Sequence, residues 1–144
     1  MSPVLLDIPD YKTDFKAWLL AQPQALTYHG GRVYRGRLPA NNNAWPAVVF
    51  YRSGGGKQPG EPNVLNVRFG IEILGGDISA AQESAVEGLA DCLESAIDTI
   101  SMVQQGGTMF LNGIVTSAPD KPDPDTGRPG RVLDAVLTLR SATS

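Results

Sequence analysis

The sequence contains very few of the residues from which catalytic and metal sites are usually built. One histidine, His29, and one cysteine, Cys92, occur among its 144 residues. A single cysteine excludes an internal disulfide framework and a zinc site built from cysteines. The sequence has no run of about 18 apolar residues, so no membrane-spanning helix is predicted. Residues 1–10 are acidic and have neither the basic nor the apolar segment of a secretory signal, so we expect none there.

Basic charge is also scarce. The 12 Lys and Arg residues are scattered and outnumbered by 15 Asp and Glu residues, which gives a net charge of −3. Proteins that bind nucleic acids usually carry a basic patch, because neutralising phosphates supplies much of their affinity. Sequence-specific binding to nucleic acid is therefore not expected. With 42% apolar residues, the chain is predicted to fold as a single globular domain over residues 1–144.

Neither of the two rare residues is expected to be catalytic: a structural or solvent-exposed role is expected for His29 and core packing for Cys92. His29 precedes a glycine pair, and no nucleophile or carboxylate accompanies it in a motif, as acid–base catalysis would require. Cys92 falls on the apolar stripe of a predicted helix, where a free cysteine behaves as a small hydrophobic residue. It also lies far from the helix N-terminus, which would help to lower the pKa of a thiol.

Two segments imitate ligand-binding loops. Residues 54–57 (GGGK) suggest a phosphate-binding loop, but Gln58 stands where Ser or Thr is needed, and a strand follows instead of a helix. Asp120, Asp123 and Asp125 loosely follow a calcium loop, but the closing glutamate is missing. An exposed turn is the favoured interpretation there, with a weak cation site as the alternative. We predict no catalytic residue, no cofactor and no metal site.

Hydrophobic periodicity predicts a helix followed by three strands in the first half of the chain. Phe15, Trp18 and Leu19 share one face of a helix over residues 10–22, which Pro23 should end. The third strand has the clearest pattern, because apolar residues alternate with polar ones along it. The three predicted strands span residues 32–37, 45–52 and 64–74.

A long amphipathic helix is predicted over residues 79–101. Ser79 followed by Gln82 has the form of a capping box at its start. Its acidic residues lie on the surface opposite the apolar stripe, where they either face solvent or face a partner or a channel. Apolar residues recur along it at intervals of three and four, namely Ile78, Ala81, Ala85, Leu89, Cys92, Leu93, Ala96, Ile97 and Ile100.

Strands over residues 109–116 and 131–140 complete the order α-β-β-β-α-β-β. This order predicts an α+β fold with a twisted, mostly antiparallel sheet of about five strands. The long helix packs on one face of the sheet, and a short helix lies at the N-terminus. The Gly- and Pro-rich segments 53–63 and 118–130 are predicted to be mobile loops without regular structure.

The order of these elements resembles the tail-terminator and tail-completion proteins of long-tailed bacteriophages, also described as tail-to-head joining proteins. The resemblance covers nearly the whole chain. After a short helix, residues 32–39 (RVYRGRLP) are followed by a strand that opens at a Trp-Pro pair, residues 45–50 (WPAVVF). The alternating strand at 64–73 (VLNVRFGIEI) precedes the long helix, and a strand at 132–139 closes the chain. The chain departs from a generic member in its long segments 53–63 and 118–130.

The resemblance implies a structural protein of the virion and not an enzyme. Such proteins form a ring, usually a hexamer, at the head-proximal end of the tail tube. The ring stops tube polymerisation and offers a surface to the head. The partners implied are further copies of the chain, the tail tube protein and a head–tail connector or neck protein. The implied location is the virion, with the host cytoplasm during assembly, and no cofactor or membrane is involved.

Contacts between subunits or partners would fall on the polar faces of the predicted strands. The candidate residues for such contacts are Arg35, Arg37, Arg68 and Glu72. Two other interpretations remain open: another neck, head-closure or minor tail protein, and a small ligand-binding module with residues 53–63 as a lid over an apolar pocket.

Overall fold

The computed structural model describes residues 10–58 and 60–142, so the prediction about a secretory signal in residues 1–10 lies almost wholly outside the described residues. The fold is a mixed α+β fold, as predicted, but it has more elements than expected. The helices are α1 (Tyr11–Leu20), α2 (Pro23–His29) and α3 (Ala80–Asp98). The strands are β1 (Val33–Arg35), β2 (Ala47–Gln58), β3 (Glu61–Leu74), β4 (Ser101–Gln105), β5 (Thr108–Ser117) and β6 (Gly130–Ser141).

The strands form one six-stranded sheet in the order β1-β2-β3-β6-β5-β4. The prediction of about five mostly antiparallel strands was therefore incomplete in two respects. β4 is an additional strand, and β1 pairs with β2 in parallel, whereas the other neighbours are antiparallel. β1 is also shorter than predicted, because Gly36 takes a positive φ of 88° and the chain leaves the sheet there.

The N-terminal region contains two helices instead of one. Pro23 ends α1, as predicted, but it also occupies the first turn of α2. Proline is favoured at that position because the first turn of a helix needs no amide donor there. A proline that predicts the end of one helix can therefore also begin the next one, as Pro23 does here.

Half of the predicted capping box forms at α3. The Ser79 hydroxyl accepts a hydrogen bond of 3.1 Å from the amide of Gln82. The Gln82 side chain does not return to Ser79; it accepts from the amide of Gly76 at 2.9 Å. α3 ends at Asp98, short of the predicted residue 101, because the chain enters β4 at Ser101.

The core lies between the helices and one face of the sheet. α1 contacts both edge strands, β1 and β4, while α3 contacts β3, β5 and β6, so the sheet curls around the helices. Phe15 of α1 stands at the centre, stacked on Phe69 of β3 with ring centroids 4.4 Å apart. It also meets the rings of Phe50 and Phe110. The alternation predicted for β3 is confirmed by the burial of Leu65, Val67, Phe69, Ile71 and Ile73.

Segment 53–63 is not an irregular loop, and that prediction was wrong. β2 and β3 continue through it as a hairpin, with register shifts after Arg52 and after Lys57. Gly55 allows the two strands to pair closely, because it has a φ of 103° and lies directly against the backbone of Asn66. Segment 118–130 does lie between strands, and an isolated bridge between Asp120 and Arg131 closes it. The mobility of both segments stays a prediction.

Candidate interaction surface

The sheet has an outer face that no helix of residues 10–58 and 60–142 covers. Along β3 this face carries Asn66, Arg68, Gly70 and Glu72, which alternate with the buried residues. In the register of the sheet, Arg68 stands opposite Val136 of β6, and Val136 stands opposite Ile114 of β5. We call these three residues the outer row. The side chain of Ile114 is 56% exposed, so the row places an apolar patch beside a cation.

Arg68 is exposed, and its guanidinium has no hydrogen bond or ion pair within the described part of the chain. Its backbone is held within the sheet, and its carbonyl accepts a hydrogen bond of 3.2 Å from the Ser53 hydroxyl. A guanidinium offers five donors in a planar fork that suits a carboxylate. Arg68 therefore remains available to a negatively charged partner.

Glu72 shares this face but is engaged within the chain. Lys121 places its Nζ atom 3.8 Å from Oε1 of Glu72, which links segment 118–130 to the sheet. The Tyr51 ring lies over Gly70, since a Cβ atom at residue 70 would be 2.6 Å from that ring. Burial raises the pKa of Tyr51, and the charge of Glu72 raises it further. Glu72 thus has partners within the chain, in contrast to the Arg68 guanidinium.

The two remaining interface candidates do not lie on the outer face. Arg35 reaches α1, where its Nη1 atom is 3.3 Å from Oδ1 of Asp10, the residue that caps this helix. Hydrogen bonds from Thr13 are the main cause of the lowered pKa of Asp10, and Arg35 adds to it. Arg37 lies beyond the end of β1 and is exposed. The structure therefore brings only Arg68 and Glu72 together on one face, and an interface role for any of the four stays a prediction.

A second charged surface runs along α3. Its five acidic residues follow one another at intervals of four, four, three and four, so they form a single stripe about 22 Å long. The sequence of α3 contains no Lys or Arg. Like charges at this spacing destabilise an isolated helix by about 0.2–0.5 kcal/mol per pair. We call this surface the acidic stripe; it consists of Glu83, Glu87, Asp91, Glu94 and Asp98.

The stripe is most concentrated at the C-terminal end of α3. Asp91, Glu94 and Asp98 line a shallow depression of about 400 Å³ there, together with Ser95 and Thr99. The C-terminus of a helix carries a partial negative charge of its own, so acidic residues are least favourable at this end. Asp98 has a structural partner, because it accepts a hydrogen bond of 2.8 Å from the amide of Val115. The other two carboxylates have no counter-charge among the described residues.

The prediction of the apolar stripe on α3 was wrong for two residues at its N-terminal end. Ile78 precedes the helix and is 74% exposed, and Ala81 is exposed as well. Cys92 is half-buried and packs against the core, and its Sγ atom lies 4.0 Å from Oε1 of Gln24. Burial raises the pKa of its thiol, with a further contribution from Asp91. The buried residues of α3 are Val86, Leu89, Ala90, Leu93 and Ile97.

His29 is completely buried at the end of α2. Its Nδ1 atom accepts a hydrogen bond of 3.0 Å from the amide of Gly31, and its Nε2 atom has no well-formed hydrogen bond to any described residue. Burial lowers the pKa of His29, and the nearby charge of Arg32 lowers it further, whereas the backbone of Leu19 opposes the shift. A neutral, buried imidazole agrees with the structural role predicted for it.

The segments that imitate ligand loops have structural explanations. Residues 54–57 lie within β2. Asp123 accepts hydrogen bonds from the amides of Asp125 and Thr126, which lower its pKa and form a turn. In residues 10–58 and 60–142 no group of three or more His, Cys, Asp or Glu residues is placed to hold a metal ion. Within the same ranges no helix is both long enough and apolar enough to cross a membrane.

A second concavity borders segment 118–130. It is an open cleft of about 330 Å³ between Trp45, Leu38, Glu72 and the prolines of that segment. Arg128 lies over the Trp45 ring at 6.0 Å and borders the cleft. The cleft is lined by charges of both signs and by no catalytic grouping within the described part of the chain, so it indicates no particular chemistry.

Comparison with known proteins shows the fold but not the family. No family model and no curated protein matches the chain. A chain from the virion of a native gene transfer agent particle is similar in structure, with a TM-score of 0.60 and 14% identity. The match covers 88% of this chain and 90% of that one. A second solved chain, 17% identical over 93% of this chain, has a lower TM-score of 0.49. The chain therefore shares its fold, over nearly its full length, with a component of a virion.

Proposed function

We propose that the protein is a structural component of a phage-like virion, and more specifically a tail terminator. In this role several copies, six in the simplest case, form a ring at the head-proximal end of the tail tube. The ring stops the tube from growing and presents a surface to the neck or connector protein. The role requires no cofactor and no catalysis.

The observation that carries this proposal is the shared fold with the gene transfer agent virion chain, which extends over about nine-tenths of both chains. The order of the sequence elements supports the narrower assignment, because it resembles tail-terminator proteins. The surface supports an assembly role as well. Arg68 of the outer row and the acidic stripe both lack counter-charges in the described part of the chain, as expected of a protein whose surface is completed by neighbours.

A neck or head-closure protein is the main alternative, because it would share the virion location. The ligand-binding alternative has lost its main support, since residues 53–63 are a paired hairpin and not a lid. The open cleft beside Trp45 is also not bordered by residues 53–63, since it lies against segment 118–130.

Deleting the gene from its parent phage or particle distinguishes the two virion roles. Loss of a terminator leaves tube growth unchecked, so electron micrographs should show tails of variable and excessive length. Loss of a head-closure protein should instead leave tails of normal length beside unattached heads. Particles that assemble normally without the chain would contradict both roles. Antibody labelling at the head-proximal end of intact tails provides an independent check.

A further inference from the structure

We infer that the acidic stripe of one copy docks on the outer row of a second copy, with Arg68 entering the depression formed by Asp91 and Glu94. This inference rests on the proposed function, because it specifies the contact that would build the ring.

The first step of the argument is charge. The stripe places five acidic residues on one helix without a basic residue among them, although the whole chain has a net charge of only −3. Arg68 lies exposed on another surface and has no carboxylate partner among the described residues. Each surface carries the charge that the other lacks, and complementary charges guide and orient docking.

The second step is geometry. Arg68 lies on the outer face of the sheet, whereas α3 packs on the inner face. One chain therefore cannot pair the two surfaces with each other, but two chains can. A contact between two different patches is heterologous, and repeated contacts of this kind close into a ring when the rotation between subunits permits. A self-complementary dimer would need a single patch that matches itself.

The third step is the chemistry of the contact. The depression at the end of α3 combines two unpaired carboxylates with the negative end of the helix dipole, which favours a cation. A guanidinium can donate to both carboxylates at once. Val136 and Ile114 stand beside Arg68 in the outer row and would lie against the surface of α3 next to the depression, where Ser95 is exposed. Apolar contacts next to a charged anchor are typical of the centre of an interface.

A charge-swap experiment tests this contact. The variants are Arg68→Glu, the pair Asp91→Lys with Glu94→Lys, and a chain that combines all three changes. Self-association is measured by sedimentation velocity at low salt and at about 1 M salt, where charges are screened beyond about 3 Å. Asp98 is left unchanged because it bonds to Val115. Lys57→Glu and Asp77→Lys are the matched controls, since both residues are exposed and lie outside the two surfaces.

We expect the wild-type protein to associate at low salt and to dissociate at high salt. Each reversal alone should raise the dissociation constant at least about tenfold, and the combined variant should restore it to within about threefold of the wild-type value. The two controls should associate like the wild-type protein. Circular dichroism and thermal melting confirm that each variant is folded.

Several results would overturn the inference. They are a wild-type protein that stays monomeric at low salt, reversals that leave association unchanged, and a combined variant that fails to recover. Reversals on α3 that abolish binding to tail tubes without affecting self-association would assign the stripe to a different partner. A ring that forms through these surfaces but leaves tube length unaffected would contradict the proposed function and leave the inferred contact intact.

Discussion

Gly55 of β2 runs so close to β3 that a Cβ atom at residue 55 would clash with the carbonyl oxygen of Asn66. The same residue has a φ of 103°, a conformation that side chains with a Cβ atom rarely adopt. The hairpin therefore depends on glycine at this position for two independent reasons. Neither reason applies to the neighbouring Gly56. A Cβ atom at residue 56 would meet nothing within 4 Å, and the residue does not have a positive φ.

We expect Gly55→Ala to lower the free energy of unfolding by about 1–3 kcal/mol, because it adds backbone strain and a clash with backbone atoms. Urea denaturation of the purified protein measures the change. Gly56→Ala is the matched control and should change stability by less than about 0.5 kcal/mol. Equal effects of the two substitutions would mean that the hairpin does not pair as described.

A partly buried hydrogen bond joins α1 to β5. The hydroxyl of Thr108, which is completely buried, donates to Oδ2 of Asp14 at 2.7 Å. Thr108→Val keeps the shape of the side chain but removes the donor, so it should cost about 1–3 kcal/mol of unfolding free energy. The measurement is again urea denaturation. Thr116→Val is the control, because the hydroxyl of Thr116 is exposed and should contribute less than about 0.5 kcal/mol.

The N-cap of α3 gives a third prediction. The Ser79 hydroxyl accepts from the amide of Gln82, so Ser79→Ala should destabilise the protein by about 1 kcal/mol. Thermal melting followed by circular dichroism measures the loss. Ser84→Ala, on the exposed surface of the same helix, should be neutral or slightly stabilising, because alanine has the higher helix propensity. If Ser84→Ala lowered the melting temperature as much as Ser79→Ala, the cap would not be the cause.

The cap at Ser79 and the alternation along β3 could be predicted because both depend on neighbours in the sequence. The helix α2 was missed because Pro23 carries two opposite signals, and only the packing of α2 on α3 decides between them. β4 was missed because its five residues show no alternation, and Met102 within it has a positive φ of 52°. Its strand form comes from pairing with β5, which lies later in the chain.

The surface was harder to predict than the fold. Strand periodicity alone made four charged residues look like equally good interface candidates. Two of them, Arg35 and Glu72, have ion-pair partners in distant segments, which no local pattern reveals. Arg68 was named correctly as an exposed residue of a polar strand face. The acidic stripe was visible in the spacing of α3, but the sequence did not show that it lacks counter-charges. Residues 54–56 were predicted to be part of an irregular loop because they are all glycines. They form a strand instead, because they pair with β3.

The buried His29 predicts a pH dependence of stability. Its folded-state pKa lies below the ordinary value of 6.5, chiefly because burial disfavours the charged imidazole. Well above pH 6.5 both the folded and the unfolded states hold a neutral histidine, so the contribution to stability is complete. As the pH falls below 6.5, the unfolded state takes up a proton before the folded state does. Stability should therefore decline, with a slope of at most about 1.4 kcal/mol per pH unit.

Urea denaturation at about pH 7.5, 6.5 and 5.5 measures this slope, because a free histidine titrates over roughly this range. The variant His29→Gln provides the comparison. The variant has no group that titrates at this position, so its slope over this range should be smaller than that of the wild-type protein, whatever its absolute stability. Asp10 and Asp123 have lowered pKa values and titrate well below this range, so they do not obscure the result. Parallel slopes for the two proteins would show that the imidazole gains a proton equally well in the folded state. A completely buried ring should not allow this, because burial disfavours the charged form.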